Sequence, residues 1–292
     1  MQDIVQLLIS GLATGAIYAL IAMGFTLLWQ TSGTINFAQG EFVMVPAFVM
    51  LAFMLLLGLP LWASFMLTLA VSALTLRFGF EFLIVRRMIR HGVLPLAIGT
   101  IGLTLALRQI VKITYSAEAQ PFPYPMPVEV WHVLGVAVSS YDIGVLVAVG
   151  ALVGGLQLFL ARTMTGRAMQ AVAQNPEAAR VLGLDVERMI RLTFVINAVL
   201  ATAAALLIAP VYLAKFDLGE VLGLKAFFAA IIGGLNQMRG ALVGGLLLGV
   251  VENFAAAYVS AQYKDAVALA LFVIVILFRP EGLVGRIEER KV

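Results

Sequence analysis

The chain has 292 residues, 62% of them hydrophobic and 12% charged, with a mean hydropathy of +1.02, values that soluble domains do not reach. This excludes a water-soluble globular protein, and the net charge of +3 is no sign of nucleic acid, because the basic residues sit in short polar segments where membrane topology uses them. The absence of cysteine removes disulfides, thiolate chemistry and Cys-based metal sites.

Apolar runs able to cross a bilayer are read at 4–29, 42–58, 61–85, 94–113, 141–161, 191–213, 223–237, 240–259 and 265–278, about nine spans within bounds of eight and ten. Asp3 and the lack of a basic segment before the first run predict a retained span rather than a cleaved signal. No tract between the runs is long enough for a separate soluble domain. The expectation is an all-α polytopic protein, one transmembrane domain over residues 1–292. Arg86, Arg87 and Arg90 form one basic cluster, Arg162, Arg167, Arg180, Arg188 and Arg191 a second, and Arg279, Arg286, Arg290 and Lys291 a third. The positive-inside rule puts all three in the cytoplasm. The segment Thr114 to Tyr141 carries Pro121, Pro123, Pro125 and Pro127, Glu118 and Glu129, and no Lys or Arg, which assigns it to the outside. An odd number of spans then leaves the N-terminus outside and the C-terminus inside.

Two runs are broken. The stretch 223–237 is short for a span and ends Gly233-Gly234-Leu235-Asn236-Gln237 before resuming at Arg239-Gly240, which predicts two half-depth helices joined by a polar turn. The segment Gly33-Thr34-Ile35-Asn36-Phe37-Ala38-Gln39-Gly40-Glu41-Phe42 has the same character. Irregular backbone at membrane depth belongs where it lines a cavity rather than lipid. The pairs Gly11/Gly15, Gly240/Gly244 and Gly245/Gly249 have the spacing of close helix packing.

Polar side chains inside spans are costly and mark pathways or internal pairing. Asn36, Gln39, Glu41, Asn197, Glu252 and Asn253 are the candidates for a substrate path. Glu252 calls for a basic partner or a wet cavity, and Glu41 gains from the dipole of a helix start. Arg108 and Lys112, one turn apart near the outer end of a span, read as side chains snorkelling to the interface. His91 and His132 stand apart at loop edges and make no metal site.

The most ordered polar segment runs from Gly166 to Gly183, within a loop at about 162–190. Asn175 is an N-cap, Pro176 suits the first helical position, Glu177 complements the dipole and Gly183 closes the helix. With Arg167 these make a self-structured segment, read as a docking surface for a soluble partner, the alternative being a loop that only ties two spans together. The chain carries no phosphate loop, no His-Glu-x-x-His and no usefully spaced carboxylate pair. It is not an enzyme by this reading, and energy for transport would come from an ion gradient or a nucleotide-binding partner.

Nearly end to end, the chain resembles the LivH-type permeases of bacterial ABC importers for branched-chain amino acids. The residues that carry the resemblance are Ser32 to Phe42, Gly99-Thr100-Ile101-Gly102-Leu103-Thr104, Ala226 to Leu235 and Phe278-Arg279-Pro280-Glu281-Gly282-Leu283, with Pro46 standing where relatives commonly have Gly. The resemblance implies an inner-membrane permease subunit for Leu, Ile and Val. It implies a second homologous permease, two ATPase subunits that bind ATP and Mg, and a periplasmic binding protein, with no cofactor in this chain. The loop from Gly166 to Gly183 would be the coupling helix, Ala171, Ala178 and Ala179 allowing close approach to the ATPase. Permeases for urea, short amides and other amino acids are similar. A stand-alone channel or gradient-driven carrier is the competing class, and a non-transporting anchor is disfavoured by the broken helices.

Overall fold

The computed structural model describes residues 2–33, 35–88, 93–133 and 136–285; Thr34, Arg90, His91, Arg286, Arg290 and Lys291 of the residues discussed above lie outside them. The helices follow the apolar runs. They are α1 (Gln2–Ser32), α2 (Glu41–Leu57) after a 3₁₀ turn Phe37–Gln39, and α3 (Leu61–Leu74), which continues as a π-helical stretch Thr75–Val85 into the short α4 (Arg86–Met88). Next come α5 (Val93–Tyr115), a hairpin of β1 (Val130–Val133) and β2 (Val136–Ser139), α6 (Ser140–Arg162), α7 (Met164–Gln174) and α8 (Pro176–Val181). The chain closes with α9 (Val186–Tyr212), α10 (Leu218–Gly233), α11 (Met238–Tyr258) and α12 (Lys264–Phe278).

Among the described residues eight helical segments are long and apolar enough to cross a membrane: Asp3–Thr31, Phe37–Leu57, Leu61–Glu81, Leu94–Tyr115, Ser140–Arg162, Val186–Tyr212, Met238–Tyr258 and Ala261–Phe278. The remaining expected span is α10, whose 16 residues reach about 24 Å, short of a hydrocarbon core of about 30 Å. The polar turn after it is present, but α11 beyond the turn is full-length rather than a half helix. The start of α9 falls five residues before the apolar run because Asp185 caps it, its Oδ1 accepting from Arg188 N at 2.9 Å. The hairpin is the one departure from helix that composition did not signal. Its β-branched and aromatic residues pair across the two strands, Trp131 with Val138 and Val133 with Val136, in antiparallel register.

The chain divides into two compact units, changing from one to the other within α1, α6 and α10. One unit comprises Met1–Thr26, Met126–Val149 and Leu224–Val292. In it α1 and α11 approach through glycine: a Cβ at Gly15, Gly245 or Gly249 would come closer than 3.0 Å to backbone of the facing helix. Backbones this close make dispersion contacts along their length, which is how helices associate where lipid gives no hydrophobic drive. The carbonyls left open at the end of α10 are met by the tail, Leu283 N donating to Ile232 O at 2.8 Å and Val284 N to Gly233 O at 3.2 Å. That is the structural work of the Arg279-Pro280-Glu281-Gly282-Leu283 segment.

The other unit comprises Leu27–Pro125 and Gly150–Gly223. Its centre is α9, buried from Asn197 to Pro210 apart from short intermediate positions, with α2 and α3 packed on it. Phe42, Phe80 and Phe194 form an aromatic chain across these elements, with centroids 4.9 and 5.6 Å apart. α2 runs through Pro46 without interruption.

Because Gly249 faces backbone rather than a movable side chain, Gly249→Leu is expected to destabilise the chain by about 1–3 kcal/mol through overpacking, read as a lowered Tm in a detergent thermal-shift assay. A Tm equal to wild type would show that α1 and α11 separate without cost.

Candidate functional site

The loop between the Ser140–Arg162 and Val186–Tyr212 spans is a pair of capped helices. Thr163 Oγ1 accepts from Gly166 N at 2.9 Å and starts α7; Asn175 Oδ1 accepts from Ala178 N at 2.9 Å and starts α8, with Pro176 in its first turn. Gly183, at φ +82°, reverses the chain, Leu184 N donates to Ala179 O at 3.0 Å and Gly183 N to Arg180 O at 3.0 Å, the two closing bonds of a Schellman motif. Gly166 lies against the last turn of α6, where a Cβ would strike Phe159 O and Leu160, and Arg167 Nε donates to Ala161 O at 3.3 Å. The loop is thereby tied to α6 at one end and packs on α9 at the other.

The alanines divide. Ala178 is exposed and Ala171 half-buried, but Ala179 is 2% exposed. This corrects the expectation that Ala179 meets a partner: its methyl points into the protein and its carbonyl serves the cap. Glu177 and Arg167 are exposed. The sequence reading missed Val181 and Leu182, which are 87% and 79% exposed between two spans. Apolar side chains presented there by a rigid helix mark an interaction surface.

In the same unit the polar break after α1 is fixed by side chains. Asn36 Oδ1 accepts from Ala38 N at 3.0 Å, and Thr100 Oγ1 accepts from Phe37 N at 3.2 Å. Gln39 and Asn197 form a reciprocal amide pair in full burial, Gln39 Nε2 donating to Asn197 Oδ1 at 2.8 Å and Asn197 Nδ2 to Gln39 Oε1 at 2.9 Å. Glu41 is 1% exposed and neither carboxylate oxygen accepts a hydrogen bond. Its nearest cation is Arg108, 3.7 Å away, whose other arm pairs with Glu220 at 2.7 Å. Arg108 is therefore held inward by carboxylates, a correction to its reading as a snorkelling residue. Lys112 lies over the ring of Phe216 at 5.1 Å. Gly40 sits on the backbone of Gly219 and Gly223, and a Cβ on Gly219 would meet the Glu41 carboxylate. Spacing alone could not reveal this site, since Glu41, Arg108 and Glu220 come from three separated helices.

In the first unit Glu252 has the basic partner its position called for. Lys225, also buried, donates to Glu252 Oε1, lies 3.0 Å from Asp265 Oδ1, and donates to Tyr18 Oη at 3.4 Å. Lys264 stands 3.8 Å from Glu252. Helices α1, α10, α11 and α12 are thus joined by one charge cluster. Asn253 donates its amide back to Gly249 O at 3.1 Å. Lys225 was missed because one lysine in an apolar run reads as an interfacial residue until its partners are in view.

Helices of this length and apolarity, interrupted where polar side chains find partners inside the protein, make this a multi-pass helical membrane protein. Over residues 7–276 the chain matches the family described as "Branched-chain amino acid transport system / permease component", and it belongs to that family. It is 37% identical over 98% of its length to the high-affinity branched-chain amino acid transport system permease protein BraD of Pseudomonas aeruginosa, 97% of which is covered. The permease proteins LivH of Salmonella typhimurium and Escherichia coli are 34% and 32% identical, each at 98% coverage of this chain and 97% of the relative.

Two variants test these clusters. Gln39→Leu strands the Asn197 amide and is expected to cost about 1–3 kcal/mol, with the double change Gln39→Leu/Asn197→Leu recovering much of that loss. Lys225→Met leaves Glu252 without its closest cation and should cost about 3–5 kcal/mol, again relieved when Glu252 is replaced by Met as well. Thermal unfolding of the four variants in one detergent checks both, and double variants no more stable than the corresponding single variants would contradict the pairings.

Proposed function

We propose that the chain is the permease subunit of an ATP-driven importer that moves Leu, Ile and Val across the bacterial inner membrane. It works as a single permease domain, residues 1–292, beside a second homologous permease. Two ATPase subunits bind ATP and Mg beneath residues 162–190, and a periplasmic binding protein delivers the amino acid. With α10 crossing as a short ninth span, the N-terminus lies on the periplasmic side and the C-terminus in the cytoplasm. The observation that carries this reading is the exposed apolar surface of the capped loop, Ala178, Val181 and Leu182, in a chain similar to named transport-system permeases along its whole length.

The mechanism follows from how the loop is attached. Closure of the ATPases around ATP grips α8, and the capped loop transmits the force as a rigid body to the ends of α6 and α9. Displacement of α9 carries Asn197 against Gln39, and with it the break that leads to Glu41. ATP shifts the population between outward-open and inward-open states only by the difference in its grip on the two. Asn36, Gln39, Glu41 and Asn197 border the path. The unbonded carboxylate of Glu41 and the unbonded Nε of Arg108 are capacity for the ammonium and carboxylate of a zwitterion. Glu252, occupied by Lys225 and Lys264, acts as an anchor within its own unit.

In liposomes holding the reassembled complex, uptake of Leu, Ile and Val is expected to require ATP. Val181→Asp with Leu182→Asp should lower ATPase co-purification and uptake by about tenfold or more, the effect of losing an apolar anchor, with no change in the Tm of the isolated chain. Uptake by this chain alone would establish a channel or carrier, and preference for urea or short amides would replace the substrate assignment.

A further inference from the structure

A cavity of about 660 Å³ opens beside α7, with Arg77, Arg188, Arg191 and Thr165 on its polar wall and Phe159, Leu192 and Val195 on its apolar wall. Its position fixes its depth. Arg77 lies near the end of the Leu61–Glu81 span, Phe159 near the end of Ser140–Arg162, and Arg188 and Arg191 in the opening turns of Val186–Tyr212. Three apolar spans therefore end around it, an arrangement that suits a phospholipid headgroup.

The charge in this cavity is unbalanced. Among the described residues, the carboxylate in ion-pair range of the three guanidiniums is Glu187, exposed and 3.9 Å from Arg191, a contact of little strength. Asp185 spends its Oδ1 on the cap of α9, and Arg77 rests over the ring of Phe78 at 5.0 Å, which neutralises nothing. The opening turn of α9 adds the positive end of a helix dipole. A free phosphate would satisfy these donors but leave the apolar wall bare; a phospholipid fits both, with its phosphodiester among the arginines and its first methylenes along the wall.

We propose that this cavity binds the headgroup of an anionic phospholipid, held by Arg77, Arg188 and Arg191 with the Thr165 hydroxyl. Thr165 belongs to α7 and the two arginines to α9, so the bound lipid ties the loop to the span it packs on. The site depends on the chain residing in a bilayer and not on what the chain transports.

The test is native mass spectrometry of the full chain released from nanodiscs of phosphatidylcholine containing a minor fraction of phosphatidylglycerol. Wild type is expected to retain phosphatidylglycerol in preference to phosphatidylcholine, and glycerol 3-phosphate or inorganic phosphate in the buffer should not displace it. Arg77→Gln with Arg188→Gln should cut phosphatidylglycerol retention by about tenfold or more, as expected for two surface cations near a lipid. Arg77→Lys with Arg188→Lys should retain more of it than the glutamine pair. Equal retention of the two lipids by wild type overturns the proposal whatever the variants do. Displacement by free phosphate assigns the site to a soluble anion and also overturns it. Unchanged lipid retention in the glutamine pair, with loss of co-purifying ATPase, would give the arginines to a protein partner instead.

Discussion

A hydrocarbon solvent offers no hydrogen bonds, so each polar side chain carried into the spans has to find its partner within its own helix or on another span, or leave a group unsatisfied at a cost of several kcal/mol. The arrangement of this protein is a set of answers to that demand. Gln39 and Asn197 close on each other completely. Lys225 gathers Glu252, Asp265 and Tyr18 onto one ammonium. Among the described residues the buried side-chain atoms left without a partner include single hydroxyls at Thr26, Thr68 and Thr202, but both Glu41 oxygens and Arg108 Nε fall together where opposite charges face each other. In the proposed path that pairing is the place with capacity to bind a polar solute.

The link between that site and the outside of the bilayer is α9. It carries Asn197 at its buried centre and begins, after the Asp185 cap, against the α7 and α8 pair. Caps at Thr163 and Asn175 and the reversal at Gly183 make the pair stiff, and stiffness is what allows a force applied at Val181 and Leu182 to arrive at α9 as displacement rather than local bending. The arginine-lined cavity lies along the same junction, so lipid and partner protein would act on one mechanical element from two directions.

Much of this was legible in the sequence. Apolar runs of span length gave the helices, the Asn-Pro-Glu opening gave α8, and the Gly spacing within α1 and α11 marked faces for close packing without saying which helix meets which, because each depends on residues within a few positions of one another. The boundaries of α9 and α10 were displaced because caps and polar first turns extend a helix beyond its apolar run. The hairpin, the inward turn of Arg108, the Lys225 cluster and the burial of Ala179 were not legible. Each depends on a partner from a distant segment or on which side of a six-residue helix meets the protein, and periodicity over so short a helix does not decide that.

The absence of cysteine from the chain makes one measurement direct. With Val181→Cys as the sole thiol, membranes bearing the assembled complex are treated with a short thiol-to-amine cross-linker and with a polar maleimide. The account predicts a covalent adduct with an ATPase subunit and slow labelling at that position, both reversed when the ATPases are stripped away. Rapid labelling with no adduct in the assembled, transporting complex would contradict it, because the loop would then face water while the work was being done.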